Sequence, residues 1–95
     1  MLLCRVIAKV VCPRQDAKLD GKQLKLIQVV EAGLTPRAEY YVAVDMLSTA
    51  LGQLVFTASG APARRMSGLE GVPVDLAIVG VVDCISGDPA VAYEE

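Results

Sequence analysis

The chain has no histidine and no tryptophan, a single phenylalanine, Phe56, and three tyrosines, Tyr40, Tyr41 and Tyr93. Without histidine the commonest general base and the commonest zinc ligand are both missing. Three cysteines, Cys4, Cys12 and Cys84, form no C-x-x-C pair, and their odd number supports neither a disulfide framework nor a metal site. They read instead as small buried apolar residues. No run approaches the roughly 18 apolar residues a membrane span needs. The N-terminal stretch from Met1 to Val11 is interrupted by Arg5 and Lys9 and has no cleavage-site pattern, so a soluble cytosolic protein is expected. Neither G-x-x-x-x-G-K-[ST] nor G-x-G-x-x-G occurs. With a net charge of −2 there is no basic surplus to attract nucleic acid or an anionic membrane.

What the chain has in abundance is small aliphatic side chains. Of its 95 residues 54% are hydrophobic but only 4% aromatic. This predicts one domain with a tight core of valine and alanine, and apolar surface left over for association. The stretch from Pro73 to Asp83, PVDLAIVGVVD, is the centre of this pattern. Its apolar run from Leu76 to Val82 is too short for a stable helix, and its β-branched residues suit a pleated surface. A strand apolar on both faces needs cover on both sides, and in a chain this small the second cover is a second protein molecule.

Four further strands are predicted. Leu2–Val11 alternates, with Leu2, Cys4, Val6, Ala8 and Val10 as its core face. Pro13 ends it, and Asp20-Gly21 supplies a turn with positive φ. Gln23–Val30 follows, with Leu24, Leu26, Gln28 and Val30 on one face and Lys25, Ile27 and Val29 on the other; if the first is inward, the Gln28 amide needs partners. Residues 31–36 read as a loop, Tyr40–Val44 as the third strand and Gln53–Thr57 as the fourth. Ser59 to Met66 reads as the start of one short helix, with Pro62 in its first turn. The fifth strand runs toward Ile85, and residues 87–95 read as a loose tail beyond a domain of residues 1–86. The fold class is all-β, a five-stranded OB-like barrel with one short helix between strands four and five.

Catalysis finds little support. Asp45, Asp75 and Asp83 are carboxylates at strand ends, where aspartate usually caps backbone N–H groups. Ser48, Ser59, Ser67 and Ser86 have no partner to activate them. No catalytic residue, cofactor or metal is assigned. OB-like barrels can bind single-stranded nucleic acid, but that requires a basic groove and stacking aromatics, and this chain is acidic with few of the latter. Gly80, inside the long strand, marks a bulge or a close backbone contact.

Four segments in order resemble one family: Leu3–Val11 with its basic loop; Leu19-Asp20-Gly21-Lys22-Gln23-Leu24; Val42-Ala43-Val44-Asp45; and Gly60-Ala61-Pro62-Ala63-Arg64 followed by Pro73–Asp83. The chain resembles the EutN/CcmL-type vertex proteins of bacterial microcompartment shells from Met1 to about Ile85. The resemblance implies a homopentamer at the five-fold corners of a polyhedral shell, bordered by hexameric shell proteins and enclosing metabolic enzymes. It departs from the family at Ala61 and Pro62, where serines are usual, at Cys4, where glycine is common, and at Met46–Ala50, which lacks the usual glycines. Gly60, Ala61, Ala63 and Arg64, with Asp75, Val79 and Asp83, are the expected contributors to the subunit seam or pore. A small nucleic-acid or ligand-binding module and a thiol-based redox or metal protein are the competing readings.

Overall fold

The computed structural model describes residues 1–13, 17, 21–59 and 76–95. The expected short helix falls in 60–75 and lies outside the described residues, as do Gly60, Ala61, Ala63, Arg64 and Asp75. Five strands close a barrel: β1 (Leu2–Val10), β2 (Gln23–Val30), β3 (Pro36–Asp45), β4 (Leu54–Ser59) and β5 (Leu76–Val81). Their order around the barrel is β1-β2-β3-β5-β4, with β1 closing on β4. Every pairing is antiparallel except β3 with β5, which is parallel and consists of two residue pairs, Val44↔Ala77 and Asp45↔Ile78. That is the closure of the OB-like barrel the strand pattern predicts.

The core is small and aliphatic. Cys4 and Val6 from β1, Ile27 and Val29 from β2, Ala43, Val55 and Ile78 pack at its centre, each almost wholly removed from water. The inward face of β2 is therefore the one carrying Lys25, not the one carrying Leu24 and Leu26. Gln28 points outward and half-buried. Its amide donates to the Arg37 carbonyl (2.8 Å) and the Tyr40 hydroxyl (3.2 Å) across an irregular stretch of the β2–β3 ladder.

Three irregularities shape the barrel. On β1 the register shifts at Ile7: Val6 faces Ile27 inside, whereas Ala8 and Val10 lie opposite Leu26 and Leu24. Antiparallel partners share a face, so the even-numbered residues of β1 leave the core after Val6. The expected single inward face thus holds only for the first half of the strand. On β2–β3, Val30 lies opposite Pro36, so β3 begins earlier than the loop composition of residues 31–36 implied. Proline is tolerated there as the first residue of a strand. On β5, Phe56 lies opposite Gly80 and Thr57 opposite Ile78, which leaves Val79 as the extra residue of a bulge. Gly80 marks that bulge; a Cβ placed on it would meet nothing within 4 Å.

The fifth strand stops at Val81 rather than running on to Ile85. Cys84–Ile85 (β6) instead pairs with Tyr93–Glu94 (β7), so residues 87–95, expected as a loose tail, turn back as a two-stranded ribbon. Asp88 makes the reversal: its side chain accepts from Ala90 N and its carbonyl from Val91 N and Ala92 N. Ile85 and Tyr93 cover a second apolar cluster of Val30, Leu54 and Val82, joined by Leu3 and Leu34. A Cβ on Gly33 would come within 3.0 Å of the Ala90 carbonyl, so glycine permits the ribbon to approach the β2–β3 loop.

Candidate assembly surface

The two halves of β3 differ in exposure. Ala43, Val44 and Asp45 are buried, whereas residues 36–42 are exposed apart from the half-buried Glu39. Residues 36–43 also pair with β2 alone, because the β5 ladder begins only at Val44. Among the described residues the first half of β3 therefore has a partner on one edge only, with Tyr40 52% and Val42 51% exposed. Leu26 lies directly opposite Val42, and Ala8 opposite Leu26. Together they make an apolar stripe three strands wide on the outside of the barrel. On the same half of the strand Arg37 bridges Glu39 at 3.5 Å and Glu31 at 3.9 Å, and the Tyr41 hydroxyl donates to Glu39 at 3.0 Å. That hydrogen bond raises the Tyr41 pKa.

Val79 and Asp83 are the two expected seam residues that can be placed. Val79 is half-buried at the β5 bulge, and Asp83 is exposed between β5 and β6. Val81 (40%) and Phe56 (41%) are exposed near them on β5 and β4. Gly60, Ala61, Ala63, Arg64 and Asp75 lie outside the described residues, so their contact with Val79 or Asp83 is an expectation only.

The cysteines divide. Cys4 is buried, and its thiol pKa is pushed up mainly by burial. Such a thiol is a poor nucleophile at neutral pH. Cys12 and Cys84 are exposed, contrary to the reading of all three as core residues: Cys12 lies just beyond the end of β1, and Cys84 opens the short outer strand β6. Among the described residues no three metal-ligating side chains are grouped, and no helix is long and apolar enough to cross a membrane.

Asp45 occupies the opposite kind of environment. Its Oδ2 accepts from Lys25 Nζ (2.8 Å), Thr49 N (2.7 Å) and Thr49 Oγ1 (2.8 Å), and its Oδ1 from Leu47 N (2.9 Å). The side chains of Lys25 and Asp45 are 6% and 0% exposed. Burial alone would raise the Asp45 pKa; the hydrogen bonds from Lys25 and Thr49 and from the two backbone amides outweigh it and hold the carboxyl below its ordinary value. The strand-end aspartate caps backbone N–H groups, as its position predicts. Its lysine partner is a finding of the structure. The only hint in the sequence was a charged residue at the period of Ile27 and Val29.

Residues 1–83 match the family described as ethanolamine utilisation protein EutN/carboxysome. The chain belongs to this family. It is 36% identical over 90 residues to the bacterial microcompartment shell vertex protein PduN of Salmonella typhimurium, covering 90% of this chain and 99% of that one. It is 30% identical over 95 residues to the carboxysome shell vertex protein CcmL of Gloeobacter violaceus, covering 100% and 95%. The solved structure of Gloeobacter violaceus CcmL superposes with a TM-score of 0.92 at 29% identity, covering 100% of this chain and 98% of that one. The GrpN pentameric microcompartment shell protein from Rhodospirillum rubrum superposes with a TM-score of 0.83 at 29% identity, covering 92% and 99%.

Proposed function

We propose that this chain is a structural vertex protein: five copies form a ring that fills a five-fold corner of a bacterial microcompartment shell in the cytoplasm. The observation that carries the reading is its end-to-end likeness to shell vertex proteins, one of them pentameric. A flat sheet of hexagonal tiles closes into a polyhedron only with pentagonal units at its corners, so the role follows from geometry rather than chemistry. In this reading the chain is not an enzyme. Its neighbours are hexameric shell proteins, and the shell's contents are metabolic enzymes.

A cyclic ring needs two different patches on each copy, because head-to-tail contacts are heterologous. The barrel offers two. One is the exposed half of β3 with its apolar stripe, Tyr40, Val42, Leu26 and Ala8. The other is the bulged β5, with Val79, Val81 and Asp83, to which Gly60, Ala61, Ala63, Arg64 and Asp75 belong by sequence. A strand edge that carries exposed apolar residues and has no partner among the described residues invites pairing with another chain. The seam assigned here runs between these two patches of adjacent copies.

Native mass spectrometry of the purified chain at low micromolar concentration tests the ring. A dominant pentamer is expected, and closed shells on co-expression with a hexameric shell protein. Arg64→Glu combined with Val79→Asp should release monomers. A monomer of the unmodified chain would overturn the vertex reading, and a pentamer that survives both substitutions would move the seam off β5.

A further inference from the structure

The connection from β3 to β4 runs from Asp45 to Gln53, and it is tied down at both ends. At its far end, Gly52 N donates to the Val6 carbonyl (2.7 Å), Val6 N to the Gln53 carbonyl (3.0 Å), and the Arg5 guanidinium to the Gly52 carbonyl (2.8 Å). Gly52 takes the positive φ of 88° that its turn requires, and Ala50 N donates to Gln53 Oε1 (2.8 Å). At its near end everything converges on one carboxylate. Leu47 N, Thr49 N and Thr49 Oγ1 all donate to Asp45, while Lys25 Nζ donates both to Asp45 and to the Thr49 carbonyl (2.7 Å).

Lys25 reaches this point from a different strand. Alternation along β2 sets it on the inward face beside Ile27, opposite Ala43 of β3, so its stem runs inside the barrel and its ammonium comes out beneath the loop. The loop's outer side carries Leu47 and Leu51, 43% and 61% exposed, with Ser48 between them held at φ 54°. For a serine that left-handed conformation is uncommon, so the surrounding bonds must hold it there.

We infer that Lys25 is an internal counter-ion that pins the Asp45–Gln53 loop, holding the Asp45 carboxylate inside so that Leu47 and Thr49 fold over it and the two leucines are presented in one arrangement. A buried carboxylate without its cation is costly, and the nearest remedy is to swing out to water. Leu47 and Thr49 are bonded to that carboxylate and would leave with it. The ion pair is thus a positioning device for the loop. The pair contributes to overall stability as well, so its positioning role is read from what the loop loses beyond the barrel. The inference holds whatever the chain assembles into.

Native-state hydrogen exchange on Lys25→Met separates the two effects. The Leu47 and Thr49 amides are expected to accelerate at least about tenfold more than central β2 amides such as that of Ile27, whose acceleration reports the global loss of stability. Unchanged protection of Leu47 and Thr49 would overturn the inference. So would a common acceleration of loop and barrel amides, the mark of a purely global loss of stability. Should Lys25→Met fail to fold, Thr49→Val keeps the ion pair and removes only the hydroxyl bond. It should speed exchange at Leu47 and Thr49 alone, and loop rates equal to those of the unmodified chain would overturn the inference.

Discussion

The two halves of β3 were built for different company. From Ala43 to Asp45 the strand is buried, paired on both sides at Val44 and Asp45, and finished by an ion pair whose donors and acceptors come from the same chain. From Pro36 to Val42 it is paired on one side among the described residues, and Tyr40, Tyr41 and Val42 are all exposed. A single strand thus shows where this chain is self-sufficient and where it is not. The polar interior is complete: among the described residues no buried side-chain nitrogen or oxygen lacks a hydrogen-bond partner. The apolar exterior is incomplete, since a small barrel cannot bury so aliphatic a composition within itself.

The sharpest way to break this contrast is Asp45→Ala. It leaves the Lys25 ammonium buried with only the Thr49 carbonyl, and removes the acceptor of two backbone amides and a hydroxyl. Breaking one side of a buried ion pair costs about 3–5 kcal/mol, enough to consume much of a small domain's stability. Denaturant unfolding followed by circular dichroism should show a loss of that size. A loss under about 1 kcal/mol, the scale of an exposed ion pair, would mean that the pair is effectively solvated.

Acid should act on the same carboxylate more gently. Its folded pKa lies below its ordinary value, so it binds fewer protons folded than unfolded near pH 4. The stability this contributes is complete above the unfolded-chain pKa of about 3.9 and is lost as pH falls through the lower folded value. Stability measured between pH 6 and pH 3 should therefore fall more steeply for the unmodified chain than for Asp45→Asn, which has no such group to titrate. Equal slopes would mean that other carboxylates account for the acid loss.

How much of this could be read in advance depends on what kind of signal each part sent. β1, β2, β4 and β5 were legible because alternation and β-branched runs are local properties. The start of β3 was hidden by Pro36, which marks a loop in most contexts but here only opens a strand. The inward face of β2 was hidden by Lys25: a lysine marks a face as outward unless an acid elsewhere in the chain reaches it. Asp45 does, from 20 residues away, and no local pattern reports that pairing. The bulge at Ile7 was equally silent, since Ala8 and Val10 continue the alternation while changing sides. Gly87-Asp88-Pro89 looked like an ending but makes a reversal, because Asp88 caps the turn that brings Tyr93 back to Ile85. For the proposed seam, β5 offered itself through its unbroken apolar run. The β3 edge did not, for which strands flank it is decided by the barrel's closure.

The smallest effect on folding, and the most informative for assembly, is expected from Val42→Asp. Val42 is about half exposed, its partner Leu26 lies on the outer face, and no described strand pairs with its free edge. A charge placed there displaces nothing in the core, so the isolated barrel should lose no more than about 0.5 kcal/mol. At a desolvated seam the same carboxylate would meet apolar surface with no cation to pair with, a cost of several kcal/mol repeated at each of the ring's contacts. Circular dichroism should then be unchanged while native mass shifts from pentamer to monomer. If the pentamer survives Val42→Asp but falls apart with Val79→Asp, the bulged β5 meets some surface other than the β3 edge. The open half of β3 would then face outward from the ring, toward whatever borders it.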